Sequence, residues 1–286
     1  MQAFIDYADY APDTKHSVTG TVKVFPQLYS PQLDNRRDIL VYVPPGYTSG
    51  FFRYPVLYMH DGQNLFDSAT SYAGEWQVDE TIEHLSAEGI EAIVVGIPNI
   101  GARRLDEYGP FRNVRGEGGG GNAYLAFLVD TVKPLVDAHF RTILDRRYTG
   151  IMGSSMGGLI SLYAAFQRPE TYGLIGAMSP SLWFAAAEIF PYVRRAQFSP
   201  ARIYLDIGTR EGGSSQVDRL LRDASARRYT GNTFRMYQLL VAKGYQPEQD
   251  VMFVEEPGGI HQESAWARRL PNALRFLLRD RAPRTA

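Results

Sequence analysis

The chain has 286 residues, of which 44% are hydrophobic and 13% aromatic, enough to bury the core of a sizeable α/β domain. Its formal net charge of −1 gives no electrostatic reason to meet nucleic acid or an anionic membrane. It has no cysteine, which excludes disulfides, thiolate nucleophiles and cysteine-ligated zinc or iron–sulfur centres.

Met1-Gln2-Ala3-Phe4-Ile5-Asp6-Tyr7 lacks the basic and apolar regions of a secretory leader, and no apolar run reaches the length of a membrane span. A cytoplasmic protein with no membrane partner is the expectation. Residues 19–25 and 37–43 alternate as strands and stop at Pro44-Pro45-Gly46, which predicts two antiparallel edge strands. Residues 54–60 form a continuous apolar run, hence a buried strand, that ends in Asp61-Gly62-Gln63-Asn64. A helix fits 76–88 with Val78, Ile82 and Leu85 on one side, and 92–97 is the next buried strand. The polar stretch 99–122 holds four consecutive glycines, Gly118 to Gly121. With no Lys-Ser/Thr after them they predict a mobile loop over one end of the sheet, not a phosphate-binding loop. Residues 124–140 have helical period, with Pro134 a candidate kink.

Residues 148–158 read as a short strand, a sharp turn and a helix from about Leu159. Within them Gly153-x-Ser155-x-Gly157 has the spacing of a nucleophile elbow. A serine at the apex of a tight strand-to-helix turn needs neighbours without bulk two residues before and after it. The turn would lift Ser155 Oγ off the sheet and aim the amide of Met156 at the same space, so nucleophile and oxyanion donor come from adjacent residues. Ser154 lies off the apex and is read as structural. Further on, strands fit 174–179, 202–208 and 251–254. Helices fit 184–193, 216–243 (with Tyr229-Thr230-Gly231-Asn232 a candidate break) and 264–279. Buried strands alternating with helices predict one α/β domain over residues 1–286, a mostly parallel sheet covered on both faces.

A serine hydroxyl needs an adjacent base, itself held by an acid. In such folds they follow the serine in the order acid, then histidine. Of the five histidines, His16 lies in an irregular segment, His84 and His139 sit on helices, and His60 precedes the elbow. His261, on the loop after the last strand, is the candidate base. Glu211, just past the strand that ends at Gly208, is the preferred acid, with Asp206 and Asp218 as alternatives. The turn after His60 offers the amide of Gln63 as second oxyanion donor, with Asp61 and Asp67 as turn-holding residues. No His-Glu-x-x-His pattern or carboxylate cluster suggests a metal, and no cofactor is expected. Phe111, Trp183, Phe184 and Trp76 would suit an apolar acyl or aryl group or fill core. Arg103, Arg104 and Arg112 would meet an acidic substrate or only solvent.

Five stretches together resemble the putative-esterase family of α/β-hydrolases, which includes enterochelin, feruloyl and acetylxylan esterases, S-formylglutathione hydrolases and mycolyltransferases. They are Val41-Tyr42-Val43-Pro44-Pro45-Gly46-Tyr47, Tyr58-Met59-His60-Asp61-Gly62-Gln63-Asn64-Leu65-Phe66, Gly153-Ser154-Ser155-Met156-Gly157-Gly158, Tyr204-Leu205-Asp206-Ile207-Gly208-Thr209-Arg210-Glu211 and Gly259-Ile260-His261-Gln262-Glu263-Ser264-Ala265-Trp266. The resemblance implies an α/β-hydrolase fold without a separate lid, Ser155 as nucleophile, His261 as base and an oxyanion donor after the Asp61-Gly62 turn. It supports Glu211 as acid, although some branches use aspartate. The absence of a cysteine disfavours the thioester-cleaving branch. The expected activity is serine carboxylic-ester hydrolysis of a small-molecule or carbohydrate-linked ester. Acyl transfer to an alcohol by the same triad, or an inactive binding module on this fold, are the alternatives.

Overall fold

The computed structural model describes residues 3–12, 15–211 and 219–279, with 219–228 as backbone alone. Nine strands, β1 (Ile5–Asp6), β2 (Thr21–Ser30), β3 (Asn35–Val43), β4 (Val56–His60), β5 (Ile93–Ile97), β6 (Thr149–Ser154), β7 (Leu174–Met178), β8 (Arg202–Gly208) and β9 (Val251–Glu256), form one sheet in the order β1-β2-β3-β5-β4-β6-β7-β8-β9. From β5 to β9 every pairing is parallel, while β1, β2 and β3 join antiparallel. This is the mostly parallel sheet expected from the alternation of buried strands and helices, in the α/β-hydrolase architecture that the family resemblance implies.

The N-terminal strands depart from expectation in two ways. The two-residue β1 forms the edge, and β3 is internal because it pairs with β5 as well as β2. Strand β2 also runs past the predicted Phe25, across a register shift between Phe25 and Leu28. Gln27 takes a positive φ at this bulge, which lets the strand pass Pro26, a residue with no ladder donor.

The principal helices are α1 (Val78–Ser86), α2 (Gly121–Phe127), α3 (Lys133–His139), α4 (Met156–Gln167), α5 (Arg219–Lys243) and α6 (Glu263–Leu277). Strand alternation sends side chains to two cores. Tyr58, Ile151, Ile175 and Ile203 pack with Leu125, Val136, Leu162 and Leu240 from α2, α3, α4 and α5. Leu57, Met59, Met152 and Tyr204 pack on the other face with Ile82 and Leu85 of α1 and Leu270 and Leu274 of α6. All five residues of β4 are buried, as a central strand covered on both sides requires. Each such apolar side chain contributes about 1.5–3 kcal/mol.

Boundaries shift where local chemistry overrides period. A π turn, Leu128–Val132, joins α2 to α3 just before Pro134 and absorbs the missing donor of the expected kink. Helix α5 runs unbroken through Thr230-Gly231; the first residues of the stretch 216–243 lie outside the described residues. The glycine run is not a mobile loop. The amides of Gly118 and Gly120 donate to Asp106, and those of Gly119 and Gly121 to the Gly109 carbonyl. A Cβ on Gly118 would lie 2.4 Å from the Phe111 carbonyl, and one on Gly120 would lie 2.7 Å from that of Asp106. These glycines allow backbone to lie on backbone. Among the described residues no helix is long and apolar enough to cross a membrane.

Candidate active site

Strand β6 runs buried between β4 and β7 and delivers Ser155 at its carboxyl end. Ser155 has φ 56° and ψ −119°, a conformation that costs a non-glycine residue about 1–3 kcal/mol and persists only when the surroundings over-determine it. Here its amide donates to Met178 O at 3.0 Å, and its carbonyl accepts from Leu159 at 3.0 Å and Ser181 at 2.9 Å. Helix α4 therefore starts at Met156, three residues earlier than expected.

The glycines of the motif are needed because of His60. A Cβ on Gly153 would lie 2.8 Å from His60 Cδ2, and one on Gly157 would lie 3.2 Å from His60 Cβ. His60 is buried beneath the turn, with Nδ1 2.8 Å from Tyr124 Oη and Nε2 3.1 Å from Ser161 Oγ. Ser161 already donates to the Gly157 carbonyl, so it accepts from Nε2–H and Nδ1 accepts from Tyr124. Burial pushes the His60 pKa down to about 3, so the ring is neutral. It is a packing residue under the elbow.

His261 Nδ1 lies 2.9 Å from Glu211 Oε2. The second Glu211 oxygen accepts from the Gly208 amide at 2.7 Å and from Ser179 Oγ at 2.6 Å. Arg269 stands 3.3 Å from Glu211 and 3.3 Å from Asp206. Ser179 Oγ in turn accepts from Trp266 Nε1 at 2.9 Å and Arg269 Nη2 at 3.0 Å. Burial is the largest influence on both carboxyls, but they come out on opposite sides of the ordinary value. Glu211 is held low because the imidazole, Ser179 and Arg269 together outweigh burial, whereas burial prevails at Asp206 and lifts it to about 7. Asp206 accepts from the Ser179 amide at 3.0 Å and has no bond to the imidazole. Asp218 lies outside the described residues.

Ser155 Oγ is 3.1 Å from Ser181 Oγ, which is 3.2 Å from Tyr229 Oη. The imidazole meets Tyr229 and Trp266 edge-on, with ring centroids 5.6 and 5.0 Å away. Ser155 and His261 line the same cavity without a direct hydrogen bond; such contacts commonly tighten only when substrate binds.

On the other side, Asp61 takes a left-handed conformation (φ 56°, ψ 46°) and Gly62 presses on β5. A Cβ on Gly62 would lie 2.6 Å from the Gly96–Ile97 backbone. The Asp61 carboxylate accepts from Arg104 Nε and Nη2, both at 2.7 Å, and from Asn99 Nδ2 at 2.7 Å. Arg104 overcomes the effect of burial and holds the Asp61 carboxyl below its usual range. Asp61 thus fixes the turn that carries Gln63, as the sequence suggests. Asp67 also holds its own turn, accepting from the Ala69 amide at 3.0 Å, and in addition anchors the N-terminal segment, accepting from Tyr7 Oη at 2.7 Å and lying 2.5 Å from His16 Nδ1. Gln63 and Met156 each stand in the first turn of a helix, where N–H groups lack intrahelical acceptors.

The cavity holds about 970 Å³ and is walled by Gln63, Asn64, Tyr72, Trp76, Arg104 and Glu263 among others. Of the four aromatics singled out in the sequence only Trp76 lines it. Phe184 is buried, Phe111 packs on Tyr163 and Tyr192, and Trp183 is exposed beside Tyr229. Arg104 is engaged with Asp61, while Arg103 and Arg112 border a separate hollow at the glycine run. Ser154 is buried at the cavity floor. Sequence reasoning missed Ser179, Ser181, Tyr229 and Arg269. The available signal was the i, i+3 pair Trp266 and Arg269 on the helix after His261, which places both on one face.

The sequence profile of the putative-esterase family matches residues 30–277. YbbA of Bacillus subtilis is 28% identical over 249 residues, 85% of this chain and 92% of that protein. The siderophore triacetylfusarinine C esterase of Aspergillus fumigatus is 34% identical over 136 residues, 46% of this chain and 45% of that protein. Among solved structures, siderophore hydrolase EstB from Aspergillus nidulans superposes with a TM-score of 0.72 at 20% identity, covering 96% of this chain and 100% of that one.

Proposed function

From a chain that belongs to the putative-esterase family and is an ester hydrolase, we propose a serine mechanism centred on Ser155, His261 and Glu211. Ser155 Oγ attacks the ester carbonyl carbon as its proton passes to His261 Nε2. Glu211 accepts from His261 Nδ1–H, holds the reactive tautomer and stabilises the imidazolium. The amides of Met156 and Gln63 donate to the tetrahedral oxyanion, each worth on the order of 10²–10³ in rate. Collapse breaks the ester C–O bond, and the leaving alcohol takes the proton from His261. Water, deprotonated by the same imidazole, then attacks the acyl-enzyme and releases the acid and free Ser155.

The observation that carries this reading is the Glu211–His261 contact at 2.9 Å, opening into the cavity that the strained Ser155 also lines. The cavity volume of about 970 Å³ suits a small-molecule or carbohydrate-linked ester. Relatives named as siderophore esterases support a polar small-molecule ester within that class. We read residues 1–286 as one catalytic unit. Ser155→Ala should lower kcat for a nitrophenyl ester by on the order of 10⁴–10⁶ with circular dichroism and Tm unchanged. A near-normal rate in that variant contradicts the mechanism. Products formed with an added alcohol separate hydrolysis from acyl transfer.

A further inference from the structure

Behind the Trp76 wall of the cavity lies a cluster of acidic side chains that the proposed chemistry does not use. Glu75, Asp79 and Glu80 each bring one carboxylate oxygen to within 4.8 Å of the other two. Asp79 and Glu80 stand in the first turn of α1. Glu75 precedes Trp76 and Gln77, and the left-handed Gln77 (φ 54°) turns the chain back so that Glu75 meets them.

The cluster is short of positive charge and of donors. Asp79 is fully buried. Its Oδ2 accepts from the Thr19 amide at 2.7 Å, but its Oδ1 is closed off from solvent and has no donor. Glu80 lies against it, and Glu80 Oε2 is likewise shut away without a partner. The two oxygens of Glu75 lie 3.1 and 3.0 Å from Ser17 Oγ, whose single proton can serve one of them. Among the described residues none of the three forms an ion pair with a lysine or arginine. Of the neighbouring carboxylates, Asp67 faces the same Ser17 but is matched by His16 at 2.5 Å, and Glu83 accepts from Tyr42. Burial, with Glu80 beside it, disfavours a bare negative charge on the Asp79 carboxyl.

Two arrangements relieve this crowding. A proton shared by Asp79 and Glu80 settles one pair of oxygens and leaves Glu75 and the second negative charge uncompensated. A doubly charged ion meets all three carboxylates at once. We propose that Glu75, Asp79 and Glu80 bind a divalent cation, the all-oxygen donor set suiting a hard ion such as Ca²⁺. The ion would tie Ser17 and Thr19 to the start of α1 and brace the chain beside Trp76, a cavity residue. The site stands apart from the serine mechanism.

The test uses the full chain stripped with EDTA and dialysed, then titrated with Ca²⁺ by calorimetry and followed by thermal melting. The expected result is one ion per chain and a Tm that rises in millimolar Ca²⁺ and falls back with EDTA. Tb³⁺ luminescence excited through tryptophan should appear and be quenched by Ca²⁺, since Trp76 adjoins Glu75. Asp79→Asn should abolish these responses, and Glu75→Gln should weaken Ca²⁺ affinity at least tenfold. Should Asp79→Asn fail to fold, Glu80→Gln decides: the cation site predicts loss of the Ca²⁺ response. No heat and no Tm change with Ca²⁺, Mg²⁺ or Mn²⁺ overturns the proposal in favour of the shared proton. A Ca²⁺ response that all the variants keep overturns it by placing the ion elsewhere.

Discussion

Asp206 stands 3.3 Å from Arg269 Nε and Glu211 3.3 Å from Arg269 Nη2, and Glu211 alone reaches the imidazole. The Arg269 cation favours the ionised form of both buried carboxyls, but only at Glu211, with its imidazole and Ser179 contacts, is burial outweighed; at Asp206 burial prevails. Glu211→Gln should therefore lower kcat by on the order of 10⁴, as expected when the imidazole loses its orienting anion. Asp206→Asn should cost stability and change kcat less than about tenfold, since its oxygen serves a backbone amide. Steady-state kinetics on the pair checks this, and the reverse order would hand the acid role to Asp206. Linear reading left these two carboxylates open because both lie at the end of one strand. What separates them is Ser179, Trp266 and Arg269, brought in from residues far along the chain. His60 gives a second prediction. Its pKa in the fold, about 3, lies below the unfolded value of 6.5. The unfolded chain thus binds a proton first as the pH falls, and stability drops from about pH 6.5 down to about 3. His60→Gln should show a flatter Tm against pH across that window; an unchanged slope would mean the ring is not buried neutral.

At the scale of elements, the two turns that carry the amides of Gln63 and Met156 are held by close packing against backbone and ring. Gly62 lies on β5 and Gly153 on His60, with no room for a Cβ in either place. Gly153→Ala should destabilise the chain by about 1–3 kcal/mol and lower kcat with it, since the clash displaces the elbow. Gly101→Ala offers a comparison, as nothing lies within 4 Å of its Cβ position; denaturant melts of the two separate crowding from backbone strain. The strand–turn–helix at Ser155 was legible because spacing and flanking periodicity agree. The glycine run was misread, since composition cannot distinguish glycines that let a loop move from glycines that let it pack. Aromatic side chains near the site were equally opaque: Trp76 reaches the cavity and Phe184 the core, and neither choice has a local signal.

Across the whole molecule, the parallel half of the sheet sets out Ser155, Glu211 and His261 after β6, β8 and β9, at the carboxyl edge where ligands bind in open α/β sheets. The antiparallel half is tied to that edge by a buried ion pair. Arg37 of β3 donates to both oxygens of Glu107, at 2.7 and 2.9 Å, and both residues are nearly closed to solvent. Glu107 sits in the segment Arg104–Tyr108, whose Arg104 holds Asp61. Glu107→Ala should cost about 3–5 kcal/mol by leaving the Arg37 charge buried and unpaired. A loss under 1 kcal/mol would show that the guanidinium finds water. The parallel sheet and both cores followed from apolar periodicity, whereas this link, 70 residues apart, did not.

The central claim is that Ser155 is the acylated nucleophile and His261 its base. Covalent labelling with a fluorophosphonate, mapped by mass spectrometry of peptides, tests it most directly. A single label on Ser155 is expected, matched to loss of esterase activity, absent in Ser155→Ala and slowed by orders of magnitude in His261→Ala. A label on another residue, or full activity in protein labelled at Ser155, would contradict it.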